Sequence, residues 1–247
     1  MKLSAEKIAK WYHRSRGEAN HFYAVRETDF ELLPGKLTMI TGHSGSGKTT
    51  LLHMLAGLLR PDAGRVSVDG IDLYGMKDKE QSRFRNEHIG LITQKHLSVQ
   101  SLNVLENILL PSSLYHDGCT NEEKALELLD YFQMADMKDA LPGELSGGEL
   151  RRMNVIRALT ADTEILMADE PTGDMDAENT QRVLKKLREK ADAGTAVLLV
   201  THEMTAEKYA DRIYIMEAGG LNFDRGEMQD DVPIGNSQNR SLHQGAF

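Results

Sequence analysis

Gly42-His-Ser-Gly-Ser-Gly-Lys-Thr-Thr50 places Gly42, Gly47, Lys48 and Thr49 in the pattern G-x-x-x-x-G-K-[ST]. The chemistry open to that spacing is phosphate binding. Glycine lets backbone N–H groups curl around an anion with no Cβ in the way. The expected cradle therefore runs through Gly42, His43, Ser44, Gly45, Ser46 and Gly47 to Lys48, Thr49 and Thr50. A helix opening at Lys48 adds a partial positive charge. Lys48 supplies a full charge to the β- and γ-phosphates, and the Thr49 hydroxyl is suited to Mg²⁺.

Two acids end the apolar run EILMADEP, residues 164–171. At the C-terminal end of a parallel strand they face the crevice where such sheets bind ligands. Asp169 is the expected Mg²⁺ partner of Thr49, and Glu170 could accept a proton from an attacking water. His202 follows the apolar run AVLLVT and could donate to a γ-phosphate oxygen or orient water. Gln94 follows IGLIT and could reach the metal or the water. A second anion motif, PGELSGGELRR at 142–152, puts Ser146, Gly147 and Gly148 at the mouth of an expected helix.

Those residues need elements to hold them. Phe22–Leu33 reads as a strand turned by Pro34-Gly35, and Leu37–Thr41 as a short strand feeding the glycine loop. Leu51, Leu52, Leu55, Leu58 and Leu59 predict a helix over 48–59, stopped by Pro61. Residues 95–160 read as helical: Asn103 caps a helix ending at Pro111, and Thr120–Glu123 forms a capping box. Ile165–Ala168 and Ala196–Val200 are continuous apolar strands flanking a helix over 180–193. This alternation predicts an α/β fold with a mostly parallel sheet covered on both faces and a helical insertion at about 95–160. One domain over 1–222 is expected, then a polar, flexible tail from Phe223 to 247.

Bulk properties narrow the class. The 247 residues carry a net charge of −9, which argues against a nucleic-acid partner. The single cysteine, Cys119, excludes an internal disulfide and reads as a passive thiol in a reducing compartment. No run approaches the ~20 apolar residues of a membrane-spanning helix, and the N-terminus lacks a signal-peptide core. The expected location is therefore cytoplasmic, unless a partner brings the chain to a membrane.

Taken in order, these motifs resemble the ATP-binding cassette family over nearly the whole chain: the loop Gly42–Thr50, Gln94, the signature Leu145-Ser-Gly-Gly-Glu149, the strand Ile165–Glu170, Gly173-Asp-Met-Asp176 and His202. The resemblance implies a P-loop ATPase core with an antiparallel N-terminal β part and an inserted helical subdomain. It implies ATP and Mg²⁺ as ligands, with Lys48, Gln94, Glu170 and His202 in hydrolysis and Thr49, Gln94 and Asp169 at the metal. An aromatic near the end of the first strand would stack on adenine, Tyr12 being the first candidate and Trp11 the second. Ser146, Gly147, Gly148 and Glu149 would face the γ-phosphate held by a second copy in a head-to-tail dimer, with Asp176 at that contact. Gln94 would sense an integral membrane permease, which holds the dimer on the inner face of the membrane. ADEPTGDMD is similar to the ADEPTGNLD of cassettes serving lipoprotein release, macrolide export, antimicrobial-peptide resistance and the cell-division permease. Here Asp174-Met175 replaces the usual Asn-Leu, and TQKHLSVQSL lacks the common leucine-proline pair. The alternatives are a soluble cassette ATPase and a nucleotide-gated scaffold. Intact Lys48 and Glu170 disfavour the scaffold.

Overall fold

Two sheets share the work of holding the glycine loop. The computed structural model describes residues 1–13, 21–95, 97–115 and 121–226. A four-stranded antiparallel sheet has the order β2-β1-β4-β5, built from β1 (Leu3–His13), β2 (His21–Leu32), β4 (Ala63–Val68) and β5 (Ile71–Asp72). A six-stranded sheet has the order β10-β9-β3-β8-β7-β6. Its members are β3 (Leu37–Thr41), β6 (Ile89–Ile92), β7 (Ile165–Asp169), β8 (Ala196–Val200), β9 (Arg212–Glu217) and β10 (Gly220–Gly226). All its neighbours pair in parallel except β10, which is antiparallel to β9.

The period of two along the central strands divides the core. Met39, Leu166, Ala168, Val197 and Leu199 point to one side of the large sheet. There they meet α3 (Val104–Tyr115), α4 (Glu122–Tyr131), α5 (Gly147–Thr160) and α6 (Ala177–Asp192). Ile40, Ile165, Met167, Leu198 and Val200 point the other way, onto α1 (Lys48–Leu55) and the small sheet's Leu3, Ile8 and Phe30. Strands buried on both faces must be apolar throughout, which is why β7 and β8 read as unbroken hydrophobic runs. The remaining helix, α2 (Asp78–His88), leads into the edge strand β6.

Four boundaries differ from the sequence expectation. α1 ends at Leu55, because Gly57 takes a left-handed φ of 69° before Pro61 is reached. α3 continues through Pro111 to Tyr115. The proline removes one helical bond, but buried Val104 and Ile108 pack the helix into the core shared with α5, and its carbonyl accepts from Asn86 Nδ2 at 2.9 Å. α6 begins at Ala177, capped by Asp176, whose Oδ1 accepts from Asn179 N at 2.7 Å. The expected polar tail does not start at Phe223: residues up to Gly226 form β10, with the Phe223 ring 5.3 Å from that of Tyr214. An edge strand needs only one apolar face, so alternation with Asn and Asp masked it. Residues 227–247, Thr120 of the expected capping box and Cys119 lie outside the described residues. Among the described residues no helix is long and apolar enough to cross a membrane.

Candidate nucleotide site

The glycine loop joins β3 to α1 and is pinned from two sides. Gly42 has φ 148°, and a Cβ there would lie 2.2 Å from Met216 O. Gly47 has φ 111°, and a Cβ there would lie 2.0 Å from Ala24 O. Both positions require glycine, for space and for backbone conformation. Lys48 is buried, and its Nζ donates to Gly42 O at 2.7 Å and His43 O at 3.0 Å, folding the cation over the loop. The loop opens into a cleft of about 1090 Å³.

The C-terminal ends of β7 and β8 supply the rest. Asp169 is 1% exposed, and its Oδ2 accepts from Thr49 Oγ1 at 2.8 Å. Its Oδ1 is buried without a hydrogen-bond partner. Burial pushes the Asp169 carboxyl up, the Thr49 bond opposes this, and the charge of Glu170 adds to it. A buried carboxylate with one idle oxygen, tied to a hydroxyl on the phosphate loop, suits Mg²⁺, an oxygen-seeking cation. Among the described residues no cluster of three or more His, Cys, Asp or Glu forms a metal cage. A cation here would take its other oxygens from phosphate and water, the usual habit of Mg²⁺.

Glu170 follows with φ 47°, an uncommon conformation for a non-glycine residue. Its backbone is held on both sides: N donates to Val200 O at 2.8 Å, and O accepts from Arg151 Nη1 at 2.9 Å. Its Oε2 accepts from Thr201 Oγ1 at 3.2 Å, and its Oε1 lies 2.9 Å from His202 Nδ1. The hydrogen bond and charge of Glu170 raise the pKa of His202 above the ordinary histidine value. The arrangement sets a carboxylate beside an imidazole at the lip of the glycine loop, groups able to accept and donate protons in hydrolysis of a phosphoanhydride.

The structure gathers most of the expected site into one cleft: Tyr12, Gly42, His43, Ser44, Gly45, Gly47, Lys48, Thr49, Thr50, Gln94, Asp169, Glu170 and His202 line it. Ser46 is buried behind the loop, its Oγ unpartnered. Trp11 does not line the cleft; its ring packs edge-on to Tyr23 at 6.0 Å. Ser146, Gly147, Gly148 and Glu149 also lie outside it. Ser146 caps α5: its Oγ donates to Glu149 Oε2 at 2.7 Å, and its N donates to the same oxygen at 2.7 Å. These bonds lower the pKa of Glu149. Sequence reasoning missed Phe22, Arg26 and Arg151, which also line the cleft. Phe22 stands opposite Tyr12 in the β1–β2 register, a pairing that only the structure supplies. Arg151 had no signal beyond its place one turn into α5.

The protein-family model described as ABC transporter matches residues 25–173. The lipoprotein-releasing system ATP-binding protein LolD of Bdellovibrio bacteriovorus is 36% identical over 219 residues, covering 88% of this chain and 98% of that one. The protein of the same name from Bacteroides fragilis is 36% identical over 201 residues, covering 80% and 92%. Among solved structures, the dimeric bacterial ABC transporter cassette MJ0796 superposes with a TM-score of 0.84 at 27% identity, covering 91% of this chain and 100% of that one. The same cassette in a dimeric post-hydrolysis state bound to ADP and phosphate gives 0.83 at 27% identity, with the same coverage.

Proposed function

We propose, from the premise that this chain belongs to the ABC transporter family, that it is the ATP-hydrolysing subunit of a membrane export or extraction system. The observation that carries this is the convergence of Lys48, Thr49, Asp169, Glu170 and His202 on one cleft from the ends of three parallel strands. Backbone N–H groups of the glycine loop and Nζ of Lys48 bind the β- and γ-phosphates; Lys48 exchanges its carbonyl partners for phosphate oxygens to do so. Tyr12 stacks on the base. Thr49 Oγ1 and Asp169 would hold Mg²⁺, which neutralises phosphate charge when bound. Glu170 orients a water in line with the γ-phosphorus and takes its proton as the new O–P bond forms and the bond to ADP breaks. His202 donates to the γ-phosphate oxygens as their charge develops. Gln94, which also lines the cleft, would link it to the permease.

A second copy completes the site. A Cβ at Gly147 would meet nothing within 4 Å, and one at Gly148 only Asp174 O at 3.9 Å. Packing within one chain therefore does not require these glycines. Their bareness suits close approach by a partner's γ-phosphate to the start of α5. Two-fold, head-to-tail pairing gives two identical sites. The relatives named for lipoprotein release support extraction of a lipid-anchored protein, with the ATPase held on the inner face of the membrane by a permease.

The test is Mg²⁺-dependent ATP hydrolysis by the purified chain, alone and with any permease found encoded in a neighbouring reading frame. Turnover lost in Asp169→Asn and co-purification with that permease are expected. Hydrolysis unaffected by chelating Mg²⁺ with EDTA would overturn the site, and failure to associate with the permease would overturn the transport reading.

A further inference from the structure

The strand β2 has no part in the chemistry above, yet four of its residues, Phe22, Tyr23, Ala24 and Arg26, line the cleft. Phe22, Ala24 and Arg26 alternate along it, the period that puts side chains on one face. Phe22 is the register partner of Tyr12, and the two rings lie 5.7 Å apart, tilted by 31°. They are 40% and 39% exposed, a two-ring apolar surface at one end of the cleft. Ala24 presents its carbonyl to Gly47 of the phosphate loop. Arg26 N donates to Gly219 O at 2.7 Å, and Gly219 N donates to Ser46 O at 3.0 Å. One bridging residue thus separates Arg26 from the phosphate loop. The strand runs from the aromatic end of the cleft to its phosphate end, and the exposed Arg26 has no carboxylate partner among the described residues.

We propose that β2 is a second wall of the nucleotide site, on which Phe22 stacks with the nucleobase beside Tyr12 and Arg26 holds a phosphate oxygen. The proposal rests on the ATP reading above. A base between or across two rings gains more contact than on one, and stacking recognises the face of the ring rather than its edge. A guanidinium offers paired donors to phosphate that Lys48, a point charge, does not.

The experiment measures dissociation constants of ATP and of inorganic tripolyphosphate, which has no base, by calorimetry on the full chain. Phe22→Ala should raise the ATP constant about tenfold, in the range of one lost stacking contact, and leave tripolyphosphate unchanged. Phe22→Tyr should restore ATP affinity. Arg26→Gln should weaken both ligands about tenfold, as expected for one charge-assisted contact, and Arg26→Lys should recover part of the loss. Equal weakening of both ligands by Phe22→Ala would make the ring structural only, and unchanged constants in either loss variant would overturn its role. A wild-type chain that binds neither ligand would instead overturn the ATP reading itself.

Discussion

His202 Nδ1 lies 2.9 Å from Glu170 Oε1, so the ring just past the end of β8 and the acid just past the end of β7 meet across two adjacent strands. The contact ties together the two residues proposed above as base and as donor to phosphate, so a change in either should be felt by the other.

Glu170→Gln should bind MgATP with near-native affinity and accumulate as a dimer, because the amide cannot take the proton that ends the cycle. Size-exclusion chromatography with and without MgATP reads the outcome. A variant that stays monomeric with bound MgATP would contradict the role given to Glu170.

The same pair sets a pH dependence. His202 has its folded pKa raised by Glu170, so the pairing is fully present below the ordinary histidine value and is lost as pH rises through the shifted one. His202 is largely exposed, so solvent screens the effect on stability and the ring's own titration is the better readout. By NMR its midpoint should fall toward the ordinary value in Glu170→Gln. An unmoved midpoint would show that something else holds the proton.

Lys48→Ala should weaken ATP binding by about 2–3 kcal/mol, or about 30- to 150-fold, the scale of a hydrogen bond to a charged group. Fluorescent-nucleotide titration measures it. Unchanged affinity would remove Lys48 from the phosphate cradle.

Ser146→Arg should leave nucleotide binding to one chain intact, since Ser146 lies outside the cleft, and lower turnover by about 10²-fold or more. The split between binding and turnover is the signature of a site built from two chains. Full turnover in the variant would sink the composite model.

Gly47→Ala should destabilise the fold. Its φ of 111° carries a backbone penalty of about 1–3 kcal/mol for a side-chain-bearing residue, and its Cβ would collide with Ala24 O. Denaturant unfolding checks this, and a midpoint equal to wild type would mean that β2 yields.

How much of this was legible in sequence depended on whether the constraint was local. The glycine loop, β7 and β8 were readable because spacing and unbroken hydrophobicity dictate them residue by residue. Asp169 and Glu170 followed from the strand they end. The course of α3 through Pro111 was not readable, since packing against α5 outweighs one lost backbone bond there. Nor was β10, whose alternation on an edge looks like a polar tail. Phe22 and Arg26 needed the β1–β2 register, a pairing that no window of sequence contains. Ser146 was recognisable as an anion motif, but its separation from the cleft emerges only from the position of α5.

The walls of the phosphate loop come from segments far apart in sequence: Ala24 on one side, Met216 and Gly219 on the other. Proteins are made from the N-terminus, so a ribosome-bound chain that already displays residues 42–50 still lacks one wall of its cradle. The loop cannot reach its final shape until the β9–β10 turn has emerged and docked. Competence for nucleotide is thereby tied to synthesis through the β9–β10 turn, and a chain truncated before that turn would carry the motif without the site.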